Sequence, residues 1–387
     1  MENYLNVNRD RHFIFPIDGD CLDAADGEII DNVLYINVQV HGSSKDRILV
    51  NETAAVYNER LNFFECKIAL RSYRTSITYK NPDKSGDDQT ISVFRLSPGT
   101  AMRKYRLSVD DNILFLQDIA KSNYKSIFEN PFLALYKKAH DLYGTRVHMN
   151  IFYEYTDSCM QFFSGHKEYF NLSMMPDKYR EEFKANVDWL RFSFHARANC
   201  PDYPYRDTSM DKLDNDIRMV HREMARFMGK EAMSSVTTLH WGTTNLQGVR
   251  ILRNNGYRGL VGYFDLDENG APWVAYHYPK EIVENLTNRD FWVDTSEDVT
   301  LVKCDICLNL HKLNEIVPLL DEVKKNPHKA GFIELIIHEQ YFYEDYTAYI
   351  PEYSDIILSA AKWAYENKYE PSFLEDTIFN MRLSAYI

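Results

Sequence analysis

The chain has 387 residues, of which 45% are hydrophobic and 26% charged, and its formal net charge is −13. This composition is ordinary for a globular protein with a full core, and the length predicts two domains or one large and one small domain. The negative charge argues against nucleic acids or anionic membranes as partners, and no apolar run is long enough to span a bilayer.

The residues from Met1 to Arg11 are polar and lack the apolar segment of a signal peptide, so we expect a cytoplasmic protein. Six cysteines are scattered along the chain, and without export they are expected to be reduced thiols. Cys304 and Cys307 have the C-x-x-C spacing but fall within a strand-like run. Residues three apart on a strand point to opposite faces, so a redox or zinc role for this pair is not expected.

Short alternating segments separated by turns fill the chain from His12 to Leu96. The predicted strands are 33–40, 46–51, 62–70, 76–79 and 90–96. Even strand spacing without a helical period indicates an antiparallel β-sandwich over residues 1–98. The order of the apolar residues resembles the immunoglobulin-like modules of many bacterial carbohydrate-active enzymes. Both a packing domain and an independent sugar-binding module are compatible with this segment.

A Pro-Gly turn at residues 97–100 marks the predicted domain boundary. Strands then alternate with helices through residues 99–387, which predicts parallel β/α units. The predicted strands are 104–109, 146–153, 189–194, 236–239, 259–263, 299–308 and 331–337. The predicted helices are 112–121, 131–143, 210–228, 245–255, 312–325 and 352–367. A hairpin is expected at 273–278, within an excursion over 265–298.

Acidic, aromatic and imidazole side chains follow the predicted strands, at the ends where parallel strands carry chemistry. They are Asp110, Asp111, Tyr153, Glu154, His195, His240, Trp241, Tyr263, Asp265, His338 and Glu339. Two adjacent carboxylates repel each other unless one takes up a proton or a cation neutralises them. Because the strand ends of a barrel converge on one face, the Asp pair and three histidines predict a metal site beside an acid/base group. Asp, His and His suit Zn²⁺ or a similar divalent ion.

The order of these motifs resembles that of the polysaccharide deacetylase (NodB-homology) superfamily over about residues 101–387. LSVDDN is similar to the family's first motif, TFDDG; FSFHARAN is similar to the start of its H-x-x-x-H motif, and IELIIHEQ to its last. The resemblance implies a deformed (β/α)7 barrel that removes an acetyl or similar acyl group from a carbohydrate or sugar conjugate. It also implies roles for individual residues: Asp110 as catalytic base, Asp111 and His195 as metal ligands, and His338 as catalytic acid.

Three positions depart from the family pattern. Asn199 stands where the second histidine of H-x-x-x-H is expected, Asn112 replaces the glycine after the Asp pair, and TLHWGTTN stands in place of an arginine–proline motif. Barrel geometry predicts that His240 supplies the missing imidazole as the third metal ligand. The alternative is a non-catalytic or catalytically diverged barrel that binds carbohydrate with an incomplete metal site.

Five residues are predicted to bind substrate, and most of them also have a structural interpretation. They are Arg197, Trp241, Tyr153, Glu154 and Tyr341. Arg197 could clamp a carboxylate or phosphate, or pair with Asp110. Trp241 could stack on a sugar ring or pack in the core, and Tyr341 could belong to a pocket wall or to a lid. Helix capping would account for one aspartate of the pair but not for both, and His195 could be a hydrogen-bonded core histidine.

Overall fold

The computed structural model describes residues 12–97 and 103–379. The chain divides into two compact units. The first consists of Met1–Met102, Phe291–Thr300 and Ile378–Ile387, and the second of Arg103–Asp290 and Leu301–Thr377. The polar N-terminal segment and Pro98 to Thr100 of the predicted domain boundary lie outside the described residues.

Strands alone build the N-terminal part of the first unit. They are β1 Phe13–Phe15, β2 Cys21–Leu22, β3 Gly27–Ile30, β4 Val33–Val40, β5 Leu49–Val50, β6 Thr53–Ala54, β7 Val56–Asn58, β8 Phe63–Leu70, β9 Arg74–Lys80 and β10 Gln89–Arg95. One five-stranded sheet contains β1, β3, β4, β7 and β8, and the other contains β2, β5, β6, β9 and β10. Neighbouring strands are antiparallel except β2 and β10, which are parallel.

The buried faces of the two sheets share one hydrophobic core. Every second side chain of β4 and of β8 is buried, because successive side chains of a strand point to opposite faces. The strand predicted at 46–51 is shorter than expected, since only Leu49–Val50 pairs with neighbours. Two sheets around one core are the layered arrangement that a small all-β unit requires.

Alternating strands and helices build the remainder of the chain. The strands are β11 Lys104–Asn112, β12 Val147–Phe152, β13 Glu154–Tyr155, β14 Phe170–Asn171, β15 Leu190–Ala196, β16 Val236–Thr237, β17 Gly259–Gly262, β18 Asp265–Leu266, β19 Pro272–Trp273, β20 Phe291–Asp294, β21 Val299–Lys303, β22 Ile306–Cys307, β23 Phe332–His338 and β24 Glu370–Pro371. The helices are α1 Leu114–Lys121, α2 Pro131–Tyr143, α3 Asp157–Met160, α4 Arg180–Ala185, α5 Met210–Phe227, α6 Leu246–Asn254, α7 Lys280–Leu286, α8 Leu313–Lys325 and α9 Tyr353–Glu366.

Parallel strands form the centre of the second unit. One sheet has the order β15-β12-β11-β23-β22, and β11 is parallel to both β12 and β23. A bridge between Phe192 and Met233 links β15 to the segment that leads into β16, which is itself parallel to β17. Cys304, which follows β21, donates its N–H to the carbonyl of Gly262 at the end of β17. The main strands therefore follow one another in chain order, as in a (β/α) barrel.

Two further predicted elements differ from the observed ones. The strand predicted at 299–308 is interrupted at Asp305, which separates β21 from β22. The reason is that the Asp305 side chain accepts the Glu334 backbone N–H at 2.9 Å. The hairpin predicted at 273–278 forms earlier, where β18 pairs with β19. The reason is a tight turn in which the Asp267 carboxylate accepts the N–H groups of Asn269 and Ala271 at 2.9 and 2.8 Å.

Three features of the described residues bear on the sequence predictions. In the ranges 12–97 and 103–379, no helix combines the length and the apolar character needed to cross a membrane. No disulfide joins any of the six cysteines, all of which lie in the described residues. Helix α5 buries Leu213, Ile217, Val220, Met224 and Phe227, the residues whose helical spacing predicted an amphipathic helix.

His221, on α5, provides a test of how the second unit responds to acid. Its Nε2 lies 2.7 Å from the hydroxyl oxygen of Tyr257, and burial lowers the pKa of His221 from 6.5 to about 4. The unfolded chain takes up a proton near pH 6.5, whereas the folded chain does not. Stability that depends on this group is therefore complete above pH 6.5 and is lost as the pH falls towards 4.

We expect the free energy of unfolding of the wild type, relative to a His221→Gln variant, to fall by about 1.4 kcal/mol per pH unit as the pH decreases through this range. Denaturant unfolding at several pH values measures the difference. Tyr257→Phe removes the hydroxyl but keeps the ring, so it should lower stability at every pH while retaining the slope. Equal slopes in the wild type and His221→Gln would contradict the prediction.

Candidate metal centre and cavity

The Asp110–Asp111 pair lies on a bulge at the end of β11. The pairing of β11 with β12 shifts register between Val109 and Asn112, and Asp111 has a φ of +63°. Such a left-handed conformation costs a non-glycine residue about 1 to 3 kcal/mol and persists only where the surroundings fix it. Asn112 does so, because its Nδ2 donates to the carbonyls of Val109 at 2.6 Å and Asn150 at 2.9 Å.

Glu339, from the end of β23, fixes the chain immediately after the pair. Its carboxylate accepts the backbone N–H groups at the start of α1, from Ile113 at 2.6 Å, Leu114 at 2.9 Å and Phe115 at 2.6 Å. The N-cap residue Ile113 offers no side-chain acceptor of its own. Glu339 is fully buried and also accepts the Tyr343 hydroxyl at 2.9 Å. One carboxylate thus joins the ends of two neighbouring strands.

Glu339→Gln should lower the free energy of unfolding by about 1 to 3 kcal/mol, because the amide NH₂ would face buried N–H donors. Glu344→Gln, at an exposed position nearby, is the matched control and should change stability by less than about 0.5 kcal/mol. Chemical denaturation of both variants measures the effect. Equal stabilities would contradict the helix-capping role.

Three side chains from three strand ends converge on one point. Nε2 of His195 lies 3.0 Å from Oδ1 of Asp111, and Nδ1 of His240 lies 3.3 Å from the same oxygen. The two nitrogens are 3.1 Å apart, and all three residues are buried. Two imidazoles and one carboxylate form a donor set that suits zinc and similar divalent ions.

Backbone carbonyls orient both imidazoles. Nδ1 of His195 lies 2.5 Å from the carbonyl oxygen of Thr238, and Nε2 of His240 lies 3.0 Å from that of Asn199. Because a carbonyl only accepts, these nitrogens carry hydrogens, which leaves Nε2 of His195 and Nδ1 of His240 as the potential ligand atoms. Outer partners of this kind are typical of metal-binding histidines. Asn199 therefore contributes through its backbone to the placement of His240.

Both oxygens of Asp111 are engaged. Oδ2 accepts the side-chain amide of Gln340 at 2.7 Å, while Oδ1 faces the two histidines. Burial raises the pKa of Asp111, but the contacts with His195 and His240 outweigh it and hold the pKa well below its usual range. An ionised carboxylate with a fixed Oδ1 is the form that a metal ligand requires.

Asp110 and His338 lie beside this donor set without belonging to it. Both line the same cavity as Asp111, His195 and His240. Nδ1 of His338 donates to Oδ1 of Asn309 at 2.8 Å, which leaves Nε2 as the second nitrogen of that ring. Burial lowers the pKa of His338, but the Cys307 sulfur and the carboxylates of Asp111 and Asp110 raise it to about 10. The two carboxylates therefore favour the protonated form of this imidazole.

The cavity has a volume of about 280 Å³. Its wall is rich in aromatic rings: Phe162, Trp241, Tyr263, Trp273, Tyr341 and Tyr346. Trp241, at a φ of +62°, packs on Tyr203 with ring centroids 4.7 Å apart, and Tyr263 packs on Trp273 at 5.2 Å. Of the predicted substrate-binding residues, Trp241 and Tyr341 line this wall.

Arg197, Tyr153 and Glu154, which were also predicted to bind substrate, are not among the described residues that line the cavity. Arg197 donates from Nε to Glu154 at 2.8 Å, and its Nη1 lies 3.6 Å from Asp216. The two carboxylates satisfy the guanidinium on a partly exposed surface and hold it away from Asp110. The predicted alternative that Arg197 pairs with Asp110 is therefore wrong, because Arg197 pairs with Glu154 instead.

Several residues around the centre were not predicted from the sequence, namely Asn150, Thr238, Asn309 and Gln340. Gln340 could have been found, because it follows His338 by two residues at the end of β23. The other three lie on separate elements, and their hydrogen bonds to site residues depend on tertiary placement that no spacing in the sequence reveals.

The fold and site define a β/α protein with a buried Asp-His-His donor set beside an aromatic cavity. No known protein family matches the sequence, and no curated protein matches it either. Solved structures with some similarity include a protein from Mycobacterium smegmatis classed as a polysaccharide deacetylase (8% identity, TM-score 0.44, covering 74% of this chain and 92% of that chain).

Two further structures are similar to this chain at lower TM-scores. One is a family 4 acetyl xylan esterase from Clostridium thermocellum in complex with a cobalt ion (11% identity, TM-score 0.36, 72% and 91% coverage). The other is a CE4 family pseudoenzyme from Bacillus anthracis (7% identity, TM-score 0.35, 84% and 88% coverage).

Proposed function

We propose that this protein is a metal-dependent hydrolase that removes an acetyl or similar acyl group from a carbohydrate or sugar conjugate. The observation that carries the proposal is the convergence of Asp111, His195 and His240 within 3.3 Å, in the cavity that Asp110 and His338 also line. The similarity of LSVDDN and IELIIHEQ to deacetylase motifs supports the same assignment.

Each of the five residues has a role in this proposal. A divalent cation held by Asp111, His195 and His240 would act as a Lewis acid on the acyl carbonyl and lower the pKa of a water molecule. Asp110 takes the proton of the attacking water on its carboxylate. His338, held at Nδ1 by Asn309, gives a proton from Nε2 to the departing nitrogen or oxygen. Zinc is the proposed metal, because it combines well with imidazole and carboxylate ligands.

The cavity wall supports an uncharged sugar as the substrate. None of the described residues that line the cavity is Lys or Arg. A phosphate or carboxylate on the sugar would meet the carboxylates of Asp110 and Asp202 and would find no Lys or Arg in the cavity wall to form an ion pair with it. Aromatic rings such as Trp241 and Trp273 offer apolar faces for the C–H face of a sugar ring.

A carbohydrate-binding protein without hydrolytic activity is the second candidate. The observation in its favour is Asn199, which removes the second imidazole of the H-x-x-x-H motif. His240 offers an imidazole at the same centre, oriented by the Asn199 carbonyl, and this arrangement supports the hydrolase.

We also propose that the first unit is an immunoglobulin-like β-sandwich, for which its two five-stranded sheets give support.

The test is acetate release from acetylated oligosaccharides by the 387-residue chain, after treatment with chelator and again after addition of Zn²⁺ or Co²⁺. We expect activity only with metal, and preference for N-acetylglucosamine oligomers over matched sugars that carry a carboxylate or phosphate. Stoichiometric metal binding with no acetate release, but with retention on the oligomers, would favour the second candidate. Absence of metal binding would overturn the hydrolase proposal.

A further inference from the structure

A row of buried polar side chains crosses the interior of the second unit and ends at Asp110. Its members are Arg106 on β11, His148 and Asn150 on β12, and Ser193 on β15, each at most 1% exposed. Parallel register places Ser193 opposite Asn150. Because residues two apart on a strand share a face, Arg106 lies on the same face of β11 as Asp110. We refer to these four residues as the interior polar row.

The hydrogen bonds of the interior polar row all run in one direction. Arg106 has only donors, so Nδ1 of His148 accepts from its guanidinium. Nε2 of His148 must then carry the hydrogen, and it donates to Oγ of Ser193 at 2.9 Å. Burial and the charge of Arg106 hold the pKa of His148 well below its usual range, in keeping with this single tautomer.

The Ser193 hydroxyl continues the row by donating to Oδ1 of Asn150 at 2.5 Å. Nδ2 of Asn150 then donates to Oδ1 of Asp110 at 2.5 Å. The Asn150 amide has only this orientation, because the Thr238 backbone N–H also donates to its Oδ1, at 3.3 Å. If the amide were reversed, its NH₂ group would face the Ser193 hydroxyl and the Thr238 N–H. Each group left unsatisfied would cost about 1 to 3 kcal/mol.

Asp110 depends on this contact for its orientation. Ser108 also donates to Oδ1 of Asp110, at 3.3 Å, so both hydrogen bonds reach the same oxygen and leave Oδ2 for the cavity. Among the described residues, no Lys or Arg lies within ion-pair distance of Asp110, since Arg106 pairs with Glu334 and Arg197 with Glu154. The Asn150 amide therefore contacts Asp110 at a position where a Lys or Arg could otherwise form an ion pair with it.

We propose that Asn150 is the positioning residue of the general base, and that Ser193, His148 and Arg106 fix the amide of Asn150 for that task. The proposal rests on the proposed function, in which Asp110 accepts a proton. Aligned hydrogen bonds in a dry interior polarise one another, so the row links the buried guanidinium to the carboxylate without a direct ion pair. It assigns a function to the buried polar side chains of His148, Asn150 and Ser193, and to Arg106, whose charge is already paired with Glu334.

Asn150→Ala is the first test. We expect kcat to fall about 10²-fold, as for a misplaced catalytic group, with KM and the Kd for Zn²⁺ unchanged. Ser193→Ala, which removes one bond of the row and little volume, should lower kcat in the same direction by a smaller factor. Thr237→Val is the matched control, because Thr237 is equally buried nearby but bonds only the Phe194 carbonyl; it should change stability and not kcat.

The double variant separates positioning from general damage to the fold. If Asn150 acts through Asp110, then adding Asn150→Ala to Asp110→Asn should cause no further loss of kcat, because the two residues act as a unit. Multiplied losses in the double variant, or a wild-type kcat in Asn150→Ala, would overturn the positioning role. A raised Kd for Zn²⁺ in Asn150→Ala would do so as well.

Failure of the proposed function has a different signature. A wild type that binds Zn²⁺ but hydrolyses none of the acetylated sugars would contradict the hydrolase and leave Asn150 to be judged by crystallography. In crystals of Asn150→Ala we expect the Asp110 carboxylate to leave the rotamer that it has in the wild type. An unchanged Asp110 rotamer in that variant would overturn the positioning role whatever the activity.

Discussion

His240→Ala should abolish divalent-metal binding and acetate release together. The physical reason is that the centre has three donor side chains, and without His240 only Asp111 and His195 remain. Loss of an outer partner of a ligand already costs about 10- to 100-fold in metal affinity, so loss of the ligand itself should exceed that range. Titration with Zn²⁺ and metal analysis of the purified variant measure the effect.

Asn199→Ala is the matched control for this prediction. The backbone carbonyl that orients His240 remains in this variant, so metal affinity should be retained although the side chain in the family's motif position is lost. If His240→Ala still binds Zn²⁺ with the affinity of the wild type, the replacement of the second motif histidine by His240 is refuted. If Asn199→Ala loses the metal instead, the amide side chain and not the carbonyl is the important group.

Asp110→Asn should lower kcat by about 10² to 10⁴, the range that general acid–base catalysis contributes. The substitution preserves shape and removes the proton acceptor. Metal affinity should stay at the wild-type value, because Asp110 is not one of the three donors that converge at the centre. Steady-state kinetics at saturating Zn²⁺ and a parallel metal titration test both parts of this expectation.

The neighbouring substitution gives the contrast. Asp111→Asn should reduce metal affinity itself, since Oδ1 of Asp111 is the atom shared by His195 and His240. Two isosteric changes at adjacent positions should thus have separable effects, one on kcat alone and one on metal binding. Loss of metal in both variants, or in neither, would contradict the division of roles within the pair.

The relation between His195 and His240 explains how a metal centre can tolerate Asn199. His195 is at the end of β15, and His240 follows β16, the next strand in the chain. Because neighbouring parallel strands end side by side, an imidazole that follows the second strand can reach the same point as His195. The carbonyl of Asn199 then meets the far nitrogen of His240, so the substituted position still contributes to the centre.

The sequence alone located the main parallel strands of the second unit, the residues that close them, and helices α1, α2, α5, α6, α8 and α9, but not the shorter helices α3, α4 and α7. Period-two and helical spacing are local, and β/α units put strand ends on one face whatever the details of packing. For that reason the amino-acid pattern was sufficient to select Asp110, Asp111, His195, His240 and His338, and all five side chains line one cavity.

Only the tertiary structure decided which way the remaining polar groups point. Arg197 directly follows β15 and is two residues after His195, yet its side chain turns to Glu154 and the surface, because a buried guanidinium without a carboxylate would be costly. The sequence did not reveal the interior polar row, because its four members are separated by up to 87 positions and resemble ordinary strand residues. These residues come into contact only through the register of three strands, which is set by packing over the whole sheet and not by any local pattern.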